Sequence, residues 1–513
     1  MATASAGVGA LATPHALATE AGTRILRDGG TAIDAAIAAA AVLTVVYPHN
    51  VALGGDLFAL IRTPDGVVRC VNASGWAAAA VDADGLRARH GDSLPARGAD
   101  PVTVPGGVRG WDAMRSFGSR IAWSATLRAA EQVAREGVPV PPSMATHLDD
   151  PENHDLVGTA EFDRVFRPNG TPLAVGDLFQ QPALADTFAT LRADGPDAFY
   201  NGALTGQLVT YLRSRGSCLT TVDFAEFTPD IQEPLSARLG DLTVLTSPPN
   251  SQGFLLLHAL AGVGDLALAD PVGEGLGELL RIFHGGNEVR DRSLADPRFA
   301  VVDPASSPPG GAPRRPARGD TVGIAAVDGE GYAVSLIQSV YYAFGSGLID
   351  PVTGVLFHNR GCGFSLDPAS SNVIAPRKRP AHTLMPAMAV RDGALSHVLS
   401  TMGGQGQPQI VGQILLHALS GATATEAVAA PRAIVGNQIG GGPDTVTVEA
   451  DLPAPALASI RRAGFDPMEV PPRTEALGQA NVVFIDAGGA MSAASDPRSD
   501  GGAVVAHFPR RPV

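Results

Sequence analysis

The chain has 513 residues, 45% of them hydrophobic and 17% charged, enough to bury a large core and more than one small domain needs. Its formal net charge of −14 excludes a long basic groove, so nucleic acid is not expected as a partner. Three cysteines without a CxxC spacing, Cys70, Cys218 and Cys362, give neither a disulfide framework nor a zinc site, and they are expected as buried packing thiols.

The first residues show no basic stretch followed by an apolar one, so no secretory signal is expected and the cytoplasm is the expected compartment. Residues 14–47 predict two helices broken at Gly29-Gly30, the second starting from an N-cap at Thr31 and stopping near Pro48. Its apolar run, 35–46, is too short to span a bilayer and predicts a buried core helix, so no membrane association is expected. LFALIRTPDGVVRCVNAS predicts a hairpin about Pro64-Asp65-Gly66. Between 100 and 300, amphipathic stretches such as 124–136 and 197–215 predict a helical layer, and His284-Gly285-Gly286 is placed at a polar helix end.

At 303–319 the composition changes to DPASSPPGGAPRRPARG, which predicts a flexible surface linker. GDTVGIAAVDGEGYAVSLIQSV follows abruptly and reads as strand, turn at 328–331, strand. NVVFIDAGGAMSAAS predicts another hairpin. A linker ending at Asp320-Thr321, directly before a core strand, has a physical explanation in processing. Once the bond before Thr321 breaks, the residue owns a free α-amine beside its hydroxyl and carries nucleophile and base together. An unperturbed α-amine titrates near pH ~8, which suits base work at neutral pH. Asp-Thr alone is a common dipeptide; its surroundings decide the matter.

Eight segments carry those surroundings: GGTAIDAAIAAAAVLTVVYPHNVALGGDLF (29–58), VTVPGGVRGW (102–111), PPNSQGFLLLHAL (248–260), GDTVGIAAVDGEGYAVSLIQS (319–339), FGSGLIDPVTGVLFHNRGCGF (344–364), RKRPAHTLMPAM (377–388), TMGGQGQPQ (401–409) and ASDPRSDGG (494–502). In this order they resemble the gamma-glutamyltransferase family over nearly the whole chain. The resemblance implies an α+β fold, a four-layer αββα sandwich of the N-terminal-nucleophile hydrolases. It implies a large chain, 1–320, and a small chain, 321–513, that stay intertwined after cleavage between Asp320 and Thr321. Thr321 matches the family's nucleophile. Ser339 falls where the family has a second threonine whose hydroxyl contacts the nucleophile's amine. Gly403 and Gly404 match the pair lining the oxyanion hole, where backbone N–H groups must come close to the developing charge. No cofactor and no metal are implied.

The sequence departs from the family in the substrate pocket. The arginine that holds a substrate α-carboxylate is gone, the matching stretch being Ser74-Gly75-Trp76-Ala77-Ala78. The family's Asn-Gln-x-x-Asp becomes Asn359-Arg360-Gly361-Cys362-Gly363, so the acid that pairs with an ammonium is lost and a cation appears. Its Ser-Ser pair becomes His382-Thr383, and Tyr341 stands in place of an asparagine. A pocket with Arg360 and without that acid is expected to reject a zwitterionic glutamyl head and favour an acyl group bearing only negative charge. A desolvated Arg–carboxylate pair contributes about 1.5–3 kcal/mol. The alternative for Arg360 is a structural arginine paired with an acid of its own chain; His382 is expected as a packed, hydrogen-bonded imidazole, with a catalytic helper as its alternative. The pattern is similar to the subgroup with oxamate amidohydrolase and glutaryl-type cephalosporin acylases.

The expected activity is therefore autoprocessed hydrolysis of a small-molecule amide with an anionic acyl part. A true gamma-glutamyltransferase with a rebuilt pocket is the alternative within enzymes. A non-catalytic binding homologue is the alternative outside them. The two chains of one precursor are the expected protein partners, and a homodimer is compatible with the sequence. HNVALGGDLF lacks the Lys-Ser/Thr of a phosphate loop, no GxSxG elbow is present, and His49 is read as structural or lining the site. Asp291-Arg292 and Asp496-Pro497-Arg498 are read as internal ion pairs.

Overall fold

The computed structural model describes residues 6–302, 320–436 and 442–509. The linker expected at 303–319 lies outside the described residues.

Two sheets stack face to face, each with helices on its outer side. The first has seven strands in the order Gly502–Pro509, Ala6–Thr13, Asp320–Val327, Ala333–Tyr341, Asp56–Arg62, Val68–Ala73 and Asp230–Gln232. Strands from before and after Thr321 interleave in it, so the two parts of the chain share one core. The second has six, in the order Met491–Ser495, Ala480–Ile485, Ala394–Thr401, Ala387–Arg391, Leu242–Thr246 and Leu235–Leu239. The helices Ala16–Arg27 and Ala32–Val46 cover the first sheet, and Phe254–Asp265, Leu276–Ser293 and Gln407–Leu419 cover the second. This is a four-layer αββα sandwich.

Helix Ala32–Val46 is buried along its whole length, which its alanine-rich, all-apolar sequence allows. Its N-terminus is satisfied from two sides. The Thr31 N–H donates to Asp34 Oδ2 at 2.9 Å, and the Ala32 N–H donates to Asp328 Oδ2 at 2.8 Å. Asp328 belongs to the turn between strands Asp320–Val327 and Ala333–Tyr341, so the helix is pinned to that hairpin.

Along Asp320–Val327 the side chains alternate. Val322, Ile324 and Ala326 join the helix-side core, while Ala325 and Val327 join the core between the sheets. Thr321 therefore points between the sheets. On the same face, Gly323 lets the second sheet approach. A Cβ there would stand 2.8 Å from the Thr401 nitrogen and 2.9 Å from the Ser400 carbonyl carbon. Polar bonds fix the spacing: Asn481 Nδ2 donates to the Gly323 oxygen at 3.0 Å, and Ser335 Oγ donates to the Leu399 oxygen at 2.6 Å.

Three expectations need correction. The helical layer expected in 100–300 also carries strands: Asp230–Gln232 and Leu235–Leu239 each form an edge of one sheet, and Leu242–Thr246 lies beside the latter. His284-Gly285-Gly286 lies inside helix Leu276–Ser293, where Gly286 admits the Leu255 side chain. Of the thiols only Cys70 is buried; Cys218 is exposed and Cys362 is half-buried. Among the described residues, no helix is long and apolar enough to cross a membrane.

Gly323→Ala is expected to destabilise the fold by about 1–3 kcal/mol, the usual cost of overpacking. Thermal unfolding beside wild type checks this, and an unchanged midpoint contradicts the close approach of the sheets.

Candidate active site

Three adjacent strands carry Thr321, Ser339 and Asp56 side by side, for Ser339 is the register partner of Thr321 on one side and of Asp56 on the other. With strands about 4.8 Å apart, the row spans roughly 10 Å. Thr321 Oγ1 donates to Ser339 Oγ at 3.1 Å, and Ser339 Oγ donates to the carbonyl oxygen of Asp320 at 2.6 Å. The Tyr341 N–H donates to Ser339 Oγ at 2.8 Å. One donated and two accepted bonds fill the capacity of that hydroxyl. It thus links the Thr321 hydroxyl to the carbonyl just before it, and both residues are buried.

A bulge between Ser339 and Tyr341 makes the last of these bonds. Tyr341 pairs with Asp320 and has φ 82°, which turns its side chain out of the regular pleat. Asn359 holds the bulge: Nδ2 donates to the Ala96 oxygen at 2.8 Å and Oδ1 accepts the Tyr342 N–H at 3.1 Å. Its amide is thus engaged at both ends with backbone, which makes it a support for the bulge.

Arg360 packs on the Tyr341 ring, its guanidinium carbon 3.5 Å from the ring centroid. Nη1 donates to Thr383 Oγ1 at 3.2 Å and Nη2 to the Ala381 oxygen at 3.0 Å, while Nε is buried without a partner. Among the described residues no carboxylate pairs with it within 4.0 Å, so the expectation of an intrachain acid partner for Arg360 has no counterpart there.

His382 stands over Asp56. The Leu384 N–H donates to Nδ1 at 3.3 Å, which assigns the proton to Nε2, and Nε2 donates to Asp56 Oδ2 at 3.1 Å. Burial, aided by the Arg360 charge, lowers the His382 pKa to about 4 against the pull of Asp56, so the ring is neutral at pH 7. Burial alone would raise the Asp56 carboxyl. His358, His382 and the Gly75 N–H more than offset it and hold the group below its usual range. Oδ1 of Asp56 accepts from Gly75 at 3.0 Å and lies 3.4 Å from His358 Nδ1, so both oxygens are engaged.

The Thr401-Met402-Gly403-Gly404 turn leaves the second sheet at its close contact with Gly323, two residues along from Thr321. Gly403 has φ 144° and Gly404 φ 52°, backbone that favours glycine, and a Cβ on Gly403 would strike Ile410 Cδ1. Gln252 ties the turn to the pocket wall: its Nε2 donates to the oxygens of Gly404, at 2.9 Å, and Thr383, at 2.8 Å. From behind, the Met402 N–H donates to the Gln479 oxygen at 2.9 Å.

A second group of polar side chains meets Asp320 itself and has no local motif to announce it. His147, on helix Pro142–Asp149, places Nε2 3.7 Å from Asp320 Oδ1 and 2.6 Å from Glu475 Oε1, the latter an ion-pair contact without an aligned hydrogen bond. His49 joins through Ser143: His49 Nε2 is 3.0 Å from Ser143 Oγ, which donates to Glu475 Oε2 at 2.8 Å.

The gamma-glutamyltranspeptidase family profile matches residues 18–308 and 303–506. The chain is 34% identical to the glutathione hydrolase-like YwrD proenzyme of Bacillus subtilis, over 96% of this chain and 97% of that protein. It is also 34% identical to the oxamate amidohydrolase proenzyme of Klebsiella pneumoniae, over 96% and 97% of the two chains. The crystal structure of cephalosporin acylase from Bacillus halodurans superposes with a TM-score of 0.89 at 29% identity, covering 98% of this chain and 97% of that one. The chain belongs to the gamma-glutamyltranspeptidase family and is an amidohydrolase of the N-terminal-nucleophile type.

Proposed function

We propose that the chain is a precursor that cleaves itself between Asp320 and Thr321, and that mature Thr321 hydrolyses a small amide whose acyl part carries a carboxylate held by Arg360. The observation that carries the substrate class is a buried guanidinium without an acidic partner among the described residues, packed on the ring of Tyr341, the residue paired with Asp320. An uncompensated buried cation is costly, and an anionic ligand offsets that cost. Asp56 is ill suited to bind a substrate ammonium, since both its oxygens are already engaged.

In the precursor, Ser339 donates to the Asp320 carbonyl and accepts from Thr321, which favours attack of Oγ1 on that carbon. The C–O bond forms, the C–N bond breaks, and the Thr321 nitrogen takes the proton. Water then splits the ester, leaving a carboxylate on Asp320 and a free amine and hydroxyl on Thr321. In the mature enzyme the amine takes the hydroxyl proton as Oγ1 attacks the substrate carbonyl, then passes it to the leaving amine. The Gly403-Gly404 turn is our candidate for the oxyanion site. Water releases the acid. The Klebsiella relative's name, oxamate amidohydrolase proenzyme, agrees with both the processing and an acyl group that is a plain carboxylate.

Arg360→Gln is expected to cut kcat/KM for an oxamate-type or glutaryl amide by about 10- to 150-fold, the equivalent of about 1.5–3 kcal/mol. Kinetics on both amides beside a γ-glutamyl anilide check this. An unchanged value, or wild-type preference for the γ-glutamyl compound, contradicts the assignment. Thr321→Ser is expected to retain turnover and Thr321→Ala to lose it, measured as amine release.

A further inference from the structure

We propose that His147, backed by Glu475, is a positioning residue for the first cleavage: its imidazolium holds the Asp320 side chain so that the Asp320 carbonyl stays on Ser339 Oγ. This rests on the processing reading above and adds to it a device that acts on the residue before the broken bond.

The Asp320 carboxylate is buried close to the nucleophile. Left unbalanced, a buried carboxylate is drawn toward water, and any movement of Asp320 carries its carbonyl with it. His147 supplies the balancing charge from 3.7 Å, and Glu475 faces the same imidazole nitrogen from 2.6 Å. A neutral ring between two carboxylates would leave like charges opposed in a poorly solvated site, so the arrangement favours imidazolium. Among the described residues, the charged groups that act on it most are these. Asp320, Glu475 and Asp150 contribute negative charge, while His49, its ring 4.8 Å away, is held neutral by burial and by the His147 charge. Burial lowers the His147 pKa, but the carboxylates outweigh it and raise the value to about 9.

Glu475 is itself anchored. Oε2 accepts from Ser143 at 2.8 Å and from Gln479 Nε2 at 2.9 Å, and the Gln479 carbonyl holds Met402 ahead of Gly403. One carboxylate thus braces the clamp on Asp320 and, through Gln479, the Gly403-Gly404 turn. No free α-amine exists before cleavage, so an alkaline fall in the maturation rate reports the clamp and not the future catalytic base.

The test is a time course of chain splitting, followed on denaturing gels from full-length protein made by cell-free translation. His147→Gln is expected to slow the appearance of two chains by about 10- to 100-fold, the scale of a small misplacement of reacting atoms. In an Asp320→Asn background the same substitution is expected to change the rate by less than about threefold, because its partner charge is gone. Wild-type maturation is expected to fall as pH rises through about 9, where the imidazolium loses its proton. Glu475→Gln is expected to move that fall at least about one pH unit lower. Equal rates for wild type and His147→Gln, or equal slowing in both backgrounds, overturns the proposal. Should His147→Gln fail to fold, an unshifted profile in Glu475→Gln overturns it. If wild type never splits at 320/321, the processing reading fails and this inference falls with it.

Discussion

The register of one strand pair governs the site. Thr321 lies opposite Ser339, and the Ser339 hydroxyl spans the gap to the carbonyl behind Thr321. A slip of one residue would turn Thr321 toward the outer helices and put Val322 between the sheets. The apolar alternation of Val322, Ile324 and Ala326 against helix Ala32–Val46 opposes that slip. Gly323 opposes it too, since any side chain in its place would press on the backbone at Ser400 and Thr401.

Among the described residues, buried arginines fall into two kinds. Arg432 and Arg498 sit in a closed network with Asp496 and Glu449, which secures strand Ala480–Ile485 and the backbone behind the Gly403-Gly404 turn. Every charge there has a counter-charge, and such a network holds geometry at little net gain in stability. Arg360 is as deeply buried, yet among the described residues it meets a hydroxyl, a carbonyl and a ring and no carboxylate. The carboxylates that balance Arg432 have no counterpart at Arg360 among the described residues, which is the contrast that supports the proposed anionic substrate.

Much of the fold was legible in the sequence because it rests on local periodicity and punctuation. Gly29-Gly30 and Thr31 mark the helix boundary, and Pro64-Asp65-Gly66 and the 328–331 turn mark two hairpins, all where the chain places them. The hairpin Leu235–Leu239 to Leu242–Thr246 is harder to read, although Gly240-Asp241 between alternating residues signals it, because the surrounding region is dominated by helices. The row of Thr321, Ser339 and Asp56 arises from pairing between strands distant in sequence, and pairing is not local information. His147 and Glu475 are invisible for the same reason: neither carries a spacing motif, and His147 meets Asp320, and Glu475 meets His147, only through the packing of helix Pro142–Asp149. Asn359 matched a family segment by position, yet its amide is consumed by backbone.

In the proposed mechanism, a hydroxyl held between the sheets becomes a nucleophile with its own base once the bond before it is cut. Intact-mass analysis of purified, active protein tests it most directly. The expected result is two polypeptides whose masses together equal the precursor plus one water, the smaller beginning at Thr321. An active preparation consisting of one unbroken chain, or a break at another residue, contradicts this mechanism.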